Sequence, residues 1–197
     1  GQDNLILLLV LTALTSMILG MGLPTGAVYI LLAVLVGSAM EKLGILPIAA
    51  HLFFFYFGML SMITPPVCLA TFAAAAIAGS DPMKTGIEAM RLGIIAYIVP
   101  FIFVFSPALL LQASPLTVAL GVVTAIAGAV LLGIAFIGFL FRRIAWGSRV
   151  LLAVGAVALL IPPGGAIALS WPINVAGLGI SAALIAWEWL HRKEVKI

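Results

Sequence analysis

Charge is what this sequence has least of. Only 8% of its 197 residues are Asp, Glu, Lys or Arg, whereas 65% are hydrophobic. Soluble domains carry about 25% charged residues, so the solvent of this chain is mainly lipid. A mean hydropathy of +1.36 agrees. The single cysteine excludes an internal disulfide. The nine basic residues sit at segment ends rather than in one cluster, so a net charge of +3 does not point to nucleic acid. Catalytic signatures are missing too: there is no His-Glu-x-x-His, no Gly-x-Ser-x-Gly and no membrane Asp pair. Without a Walker loop the chain does not hydrolyse ATP itself. Gly1 is not an initiator methionine, and Gln2-Asp3-Asn4 is not the basic start of a signal peptide. The expectation is a piece of a longer membrane protein.

The stretch that stands out is Ser61-Met-Ile-Thr-Pro-Pro-Val-Cys68, inside an apolar run from Ala49 to Ala78 whose only titratable residues are His51, Tyr56 and Cys68. A continuous helix of about 30 residues would measure roughly 45 Å, against roughly 30 Å for a bilayer core. Pro65 and Pro66 remove two backbone donors and push Thr64 out of helical geometry. The expectation is two half-helices around unwound backbone, which must be buried in protein or line a wet cavity. Upstream, Leu19-Gly-Met-Gly-Leu-Pro-Thr25 interrupts an apolar run in the same manner. Paired interruptions in one membrane unit point to the ion and substrate site of a secondary transporter.

In chain order, Leu5 to Leu19 and Ala27 to Met40 are short apolar arms around that Gly/Pro tip, read as a re-entrant hairpin. Two thin full spans are the alternative. Glu41-Lys42-Leu43-Gly44 closes the unit at a water interface. After the broken segment, Gly79-Ser80-Asp81-Pro82 is an aqueous turn in which Ser80 or Asp81 caps the next helix. Lys84, Glu88 and Arg91 then form one polar stripe. Ile94 to Leu111 completes a span with a kink expected at Pro100. Leu116 to Phe141, Trp146 to Ile161 and Trp171 to Leu190 follow as spans. Between the last two lies Pro162-Pro163-Gly164-Gly165, and a polar tail from His191 ends the chain. The fold class is thus all-α integral membrane, with a hairpin, a broken helix and about four further spans. If the broken segment crosses, every basic residue but Lys42 falls on one side, which the positive-inside rule makes cytoplasmic. If that segment is itself re-entrant, all nine share a side, so charge alone does not choose.

The chemistry offered at the breaks is hard oxygen. Thr64 places a hydroxyl beside carbonyls that Pro65 and Pro66 free, which suits a small cation of the Na⁺ kind. Gly20 and Gly22 permit close backbone approach, Pro24 sets the turn, and Thr25 adds a second hydroxyl. The half-helix starting near Thr25 points its positive end at the tip, where an anionic substrate group gains. Gly20, Thr25, Thr64 and Pro66 are therefore candidates for the cation, and Gly22, Pro24, Thr25 and Pro65 for the substrate. The alternative is that each break is only a packing kink. His51 is read as snorkelling at an interface, with a proton relay as the alternative, and Cys68 as a small packing residue. Ser16 and Ser61 are read as hydrogen-bonding within the bundle, with contact to the ligand as the alternative.

At these breaks the sequence resembles a family. Leu-Gly-Met-Gly-Leu-Pro-Thr-Gly-Ala-Val-Tyr-Ile-Leu (19–31) and Ile-Thr-Pro-Pro-Val (63–67) look like the large membrane subunit of tripartite ATP-independent periplasmic (TRAP) transporters. Pro-Ile-Ala-Ala-His-Leu-Phe (47–53) and Ala-Gly-Ser-Asp-Pro (78–82) are similar to its fused permeases that work with TAXI-type binding proteins. The resemblance implies an elevator-type importer of a small organic carboxylate, coupled to Na⁺ or occasionally H⁺, in a bacterial or archaeal inner membrane. It implies an inverted repeat, with residues 1–115 as the second transport repeat and 116–197 as a C-terminal membrane extension ending in a cytoplasmic tail. Implied partners are a periplasmic TAXI-type binding protein, the N-terminal remainder of the permease and membrane lipid; the implied coupling ion is Na⁺, with no other cofactor. Other branches often carry an acidic residue near the hairpin tip, where this chain has Leu23-Pro24-Thr25. A non-transporting assembly subunit and a membrane enzyme are the competing functions. The former needs no paired breaks, and the latter lacks a nucleophile or metal constellation.

Overall fold

Residues 3–161 and 170–190 are described in the structure, a computed structural model in which all regular elements among those residues are helical. The chain divides into two compact units, Gly1–Val104 and Phe105–Ile197.

The first unit begins with α1 (Asp3–Gly20), a turn over residues 21–24, and α2 (Thr25–Leu35). Pro24 lies in extended geometry just ahead of α2, so the turn ends where the missing proline N–H costs the helix nothing. A one-residue interruption at Val36 leads into α3 (Gly37–Lys42), with Lys42 in its last turn. Pro47 opens α4 (Pro47–Leu60) at its first position. Both hairpin arms pack on α4, through Leu9, Ala13, Val28 and Leu32 on one side and Ala50, Phe54 and Phe57 on the other, all buried.

The irregular segment 61–68 separates α4 from α5 (Leu69–Ala78), and Gly79 closes α5 in the left-handed conformation that glycine adopts without penalty. Asp81 then caps α6 (Pro82–Leu92), its Oδ1 accepting from the Lys84 backbone N–H at 2.8 Å. Of the two expected capping residues, Asp81 is the one used. Glu88 and Arg91 pair on that helix at 3.4 Å, completing the polar stripe. α7 (Ile94–Phe105) follows after a 42° bend at Gly93, and the helix then runs unbroken through Pro100. Proline costs a helix one hydrogen bond, but the bend falls at Gly93, where an added Cβ would lie 3.1 Å from both Ile63 Cδ1 and the Ala89 carbonyl oxygen. Phe101 of α7 stacks edge-on to Phe53 and Phe57 of α4, with centroids 5.2 and 5.6 Å apart.

In the second unit a 3₁₀ turn (Pro107–Leu110) precedes α8 (Pro115–Ile137), α9 (Trp146–Leu160) and α10 (Ser170–Leu190). α9 packs against both of its neighbours. Gly128 faces the Ala156 carbonyl and Leu160, and Gly155 faces Gly177 and Ser181, so the backbones meet at small residues. Arg149 folds back over the end of α8. Its Nε and Nη2 donate to the carbonyls of Ala135 and Phe136 at 2.8 and 2.9 Å, satisfying acceptors that a helix end leaves open. Arg142 Nε meets buried Glu188 at 2.7 Å. Two residues expected only to mark the cytoplasmic side thus have internal partners.

By length and composition α8 and α10 are able to cross a membrane, and the bent pair α6–α7 makes a third candidate. Among the described residues the count falls short of the four spans expected after the broken helix, since the 15 residues of α9 are too few for a straight crossing. The 162–165 break and the basic tail from His191 lie outside the described residues.

The α8–α9 contact generates a test. A Cβ on Gly128 would lie 2.8 Å from the Ala156 carbonyl oxygen, whereas one on Gly133 meets nothing within 4 Å. Gly128→Ala is expected to lower stability by about 1–3 kcal/mol and Gly133→Ala to raise it or change it by under roughly 0.5 kcal/mol. Thermal unfolding of the two variants in detergent measures the contrast.

Candidate functional site

The break after α4 is built by its prolines, but not in the way a simple tally of lost donors suggests. Pro65 and Pro66 are joined by a cis peptide bond. A continuing helix would use their N–H groups to satisfy the carbonyls of Ser61 and Met62. Both carbonyls find substitutes: Ser61 accepts from the Thr64 N–H at 3.3 Å, and Met62 from the Ala70 N–H at 3.1 Å. The carbonyls left over are those of Ile63, Thr64, Pro65, Pro66 and Val67, which meet no backbone N–H among the described residues. The open acceptors therefore run from Ile63 to Val67, from just before the prolines to just beyond them. Cys68 ends the segment, buried at a backbone φ of 20°, and Thr71 Oγ1 donates to its carbonyl at 2.9 Å.

Thr64 is buried, and its hydroxyl is engaged twice. It donates to the Leu60 carbonyl at 2.6 Å and lies 2.6 Å from the hydroxyl of Tyr97 on α7.

The hairpin tip is a tight turn. The Leu19 carbonyl accepts from the N–H groups of both Gly22 and Leu23, and the Pro24 carbonyl from those of Ala27 and Val28. The carbonyls of Met21, Gly22 and Leu23 again meet no backbone N–H among the described residues. Gly20 seats the tip: a Cβ there would lie 2.5 Å from Ser61 Oγ and 2.7 Å from the Gly58 carbonyl oxygen. Thr25 turns its methyl group towards Gly58. Gly58 and Ser61 form the last turn of α4 and the first residue of the break, and Ser61 Oγ donates to the Gly58 carbonyl at 2.7 Å. The two interruptions thus meet on one turn of α4.

The candidate residues divide accordingly. Gly20 is buried against the break, and Thr25 is half-buried beside Gly58. Gly22 and Pro24 are exposed at the tip. Thr64 is buried behind Tyr97, Pro65 rests near Gly86 of α6, and Pro66 is exposed. Thr25 and Thr64 are not direct neighbours through a hydrogen bond; the last turn of α4 mediates between them. Gly58 and Tyr97 are not among the sequence candidates. A small residue three positions before Ser61 was a legible signal for the seat, but no spacing rule connects Tyr97 to Thr64.

The remaining candidates have structural partners. Ser16 and Ser61 donate to carbonyls of their own helices, Ser16 to Thr12 at 2.6 Å, rather than across the bundle. His51 is half-buried, with Nδ1 3.1 Å from the Tyr29 hydroxyl of α2, so it ties α4 to the hairpin. No cluster of three or more His, Cys, Asp or Glu side chains occurs among the described residues, and the oxygens gathered here are neutral.

Residues 1–118 match the family described as Tripartite ATP-independent periplasmic transporter, DctM component. The chain belongs to that family. The match takes in the hairpin, the break, the α6–α7 pair and the first turn of α8. No curated protein and no solved structure matches the chain. A DctM component is part of a transporter and not an enzyme, which sets aside the membrane-enzyme reading. The multi-pass membrane character inferred from composition agrees with the apolar helices.

The seat of the DctM tip is testable. Gly20→Ala is expected to lower stability by about 1–3 kcal/mol, because the added carbon meets a backbone oxygen that cannot rotate away. Gly22→Ala, with nothing within 4 Å, is expected to change it by under roughly 0.5 kcal/mol. Hydrogen exchange at residues 21–24 should accelerate in the first variant and not in the second.

Proposed function

We propose that this chain is the cation- and substrate-binding portion of a secondary-active TRAP-type permease. In this reading it imports a small organic anion, a carboxylate, by symport with Na⁺. The observation that carries the reading is the meeting of two chain interruptions, each with carbonyls lacking N–H partners, on the last turn of α4. A desolvated small cation takes about six oxygens, more than either short segment supplies. The break offers the carbonyls of residues 63–67 with the Thr64 hydroxyl, and the tip offers those of 21–23 with Thr25. The exposed tip, Gly22 and Pro24, and the N-terminal end of α2 face the anionic substrate.

Large TRAP components work with a periplasmic binding protein and a small membrane subunit. For this chain the binding protein is of the TAXI type, and the small subunit is fused into an N-terminal portion of the permease. The hairpin is re-entrant from the periplasmic side of the inner membrane, and the C-terminus is cytoplasmic. Residues 1–115 are one half of an inverted repeat that moves as an elevator. Residues 116–197 are a peripheral extension without a ligand.

The test is the Na⁺ dependence of uptake by the complete permease with its binding protein. Thr64→Val and Thr25→Val keep the side-chain shape while deleting one hydroxyl. Each is expected to raise the half-saturating Na⁺ concentration, by about 5- to 150-fold for an unmade polar contact of about 1–3 kcal/mol. The double variant should be less than additive, since both hydroxyls act on one ion. Unchanged Na⁺ dependence in both single variants at normal protein levels would remove the hydroxyls from the site. An assembly subunit would show the same amounts of complex with no Na⁺ phenotype.

A further inference from the structure

The elements that hold the break from outside are α6, α7 and the bend between them, through Gly86, Gly93 and Tyr97. A Cβ on Gly86 would lie 3.0 Å from both Cys68 Sγ and Pro65 Cγ, and one on Gly93 would lie 3.1 Å from Ile63 Cδ1. The break is thus pressed onto the bent helix pair at Ile63, Pro65 and Cys68. Tyr97 closes the row with its hydroxyl 2.6 Å from Thr64 Oγ1.

The direction of that hydrogen bond follows from counting protons. A threonine hydroxyl carries one proton, and the Leu60 carbonyl, 2.6 Å from Thr64 Oγ1, can only accept. Thr64 spends its proton on Leu60, so Tyr97 is the donor. Around Oγ1 three directions are then occupied: the bond to Cβ, the O–H aimed at Leu60, and the lone pair receiving the tyrosine proton. One lone pair remains, and its direction is set by the other three. A hydroxyl so held cannot rotate its proton towards an approaching cation.

We propose that Tyr97 is a positioning residue for the cation site, locking the Thr64 hydroxyl so that its one free lone pair faces the opened carbonyls of the break. This rests on the assignment of the break as a Na⁺ site. Tyr97 itself does not touch the ion; it acts through Thr64. Binding is favoured because the ligand is fixed before the ion arrives, rather than ordered at the moment of binding.

Tyr97→Phe removes the hydroxyl and keeps the ring. In the complete permease with its binding protein, the half-saturating Na⁺ concentration for uptake is expected to rise roughly 3- to 10-fold, the effect of one lost hydrogen bond. The rate at saturating Na⁺ is expected to be retained, because a role confined to packing would instead lower the amount or rate without moving the Na⁺ midpoint. In a Thr64→Val background, Tyr97→Phe should add nothing further. The Na⁺ concentration giving half of the Na⁺-induced rise in Tm of the purified permease supplies the same midpoint without transport. If Thr64→Val shifts the Na⁺ midpoint and Tyr97→Phe does not, the positioning role is wrong and the site stands. A Tyr97→Phe shift that persists in the Thr64→Val background overturns the role as well, since Tyr97 then acts by another route. If Thr64→Val leaves the midpoint unmoved, the Thr64 hydroxyl is not a ligand and the inference falls with it, while the backbone carbonyls of the break remain candidates for the ion.

Discussion

A backbone carbonyl inside a membrane must find a donor or a ligand, because lipid offers neither. Each one left unsatisfied costs free energy on the order of kcal/mol, so helices dominate wherever the chain meets hydrocarbon. This protein departs from that rule at the hairpin tip and at the segment after α4, and proline is present at both. The rest of the first unit is arranged to make those departures tolerable. Gly20 brings the tip down onto Gly58 and Ser61, while Gly86 and Gly93 let α6 and α7 close over the break. The acceptors that the prolines orphan directly are recovered by the N–H groups of Thr64 and Ala70. What stays open is a short run of carbonyls with the Thr64 hydroxyl beside it; in the proposed reading these oxygens exchange the hydration shell of a small cation for protein dipoles.

In the second unit, side chains fill acceptors at helix ends: Arg149 takes two at the end of α8, and Asn174 Nδ2 donates to the Ile161 carbonyl just past α9. Its charged groups inside the bundle are paired, Arg142 with Glu188. Backbones there meet at Gly128, Gly155 and Gly177.

The local punctuation of the fold was legible in the sequence. Pro24, Pro47, Gly79 and Asp81 each begin or end an element where their backbone chemistry says they should. Both interruptions were readable for the same reason, since proline acts on its own few neighbours. Tertiary effects were not readable. Pro100 sits in a continuous helix while the bend falls at Gly93, where an added Cβ would crowd Ile63 and the Ala89 carbonyl. Ser16 and Ser61 bond within their own helices, a choice that a serine's short reach favours but sequence does not dictate. The Thr64–Tyr97 contact joins residues 33 positions apart, and nothing in the local pattern of either announces the other. Arg142 and Arg149 read as markers of sidedness, yet their geometry shows them stitching helices together.

The central claim is that the tip and the break together hold a cation. It is tested most directly by determining the structure of the complete permease twice, once in Na⁺ and once with choline as the only cation. The account predicts an ion-sized density in Na⁺ alone, bounded by the carbonyls of residues 63–67 and by Thr64 Oγ1 on one side and by the tip on the other. The same density in both conditions, or a break whose carbonyls are filled by protein donors in both, would contradict it.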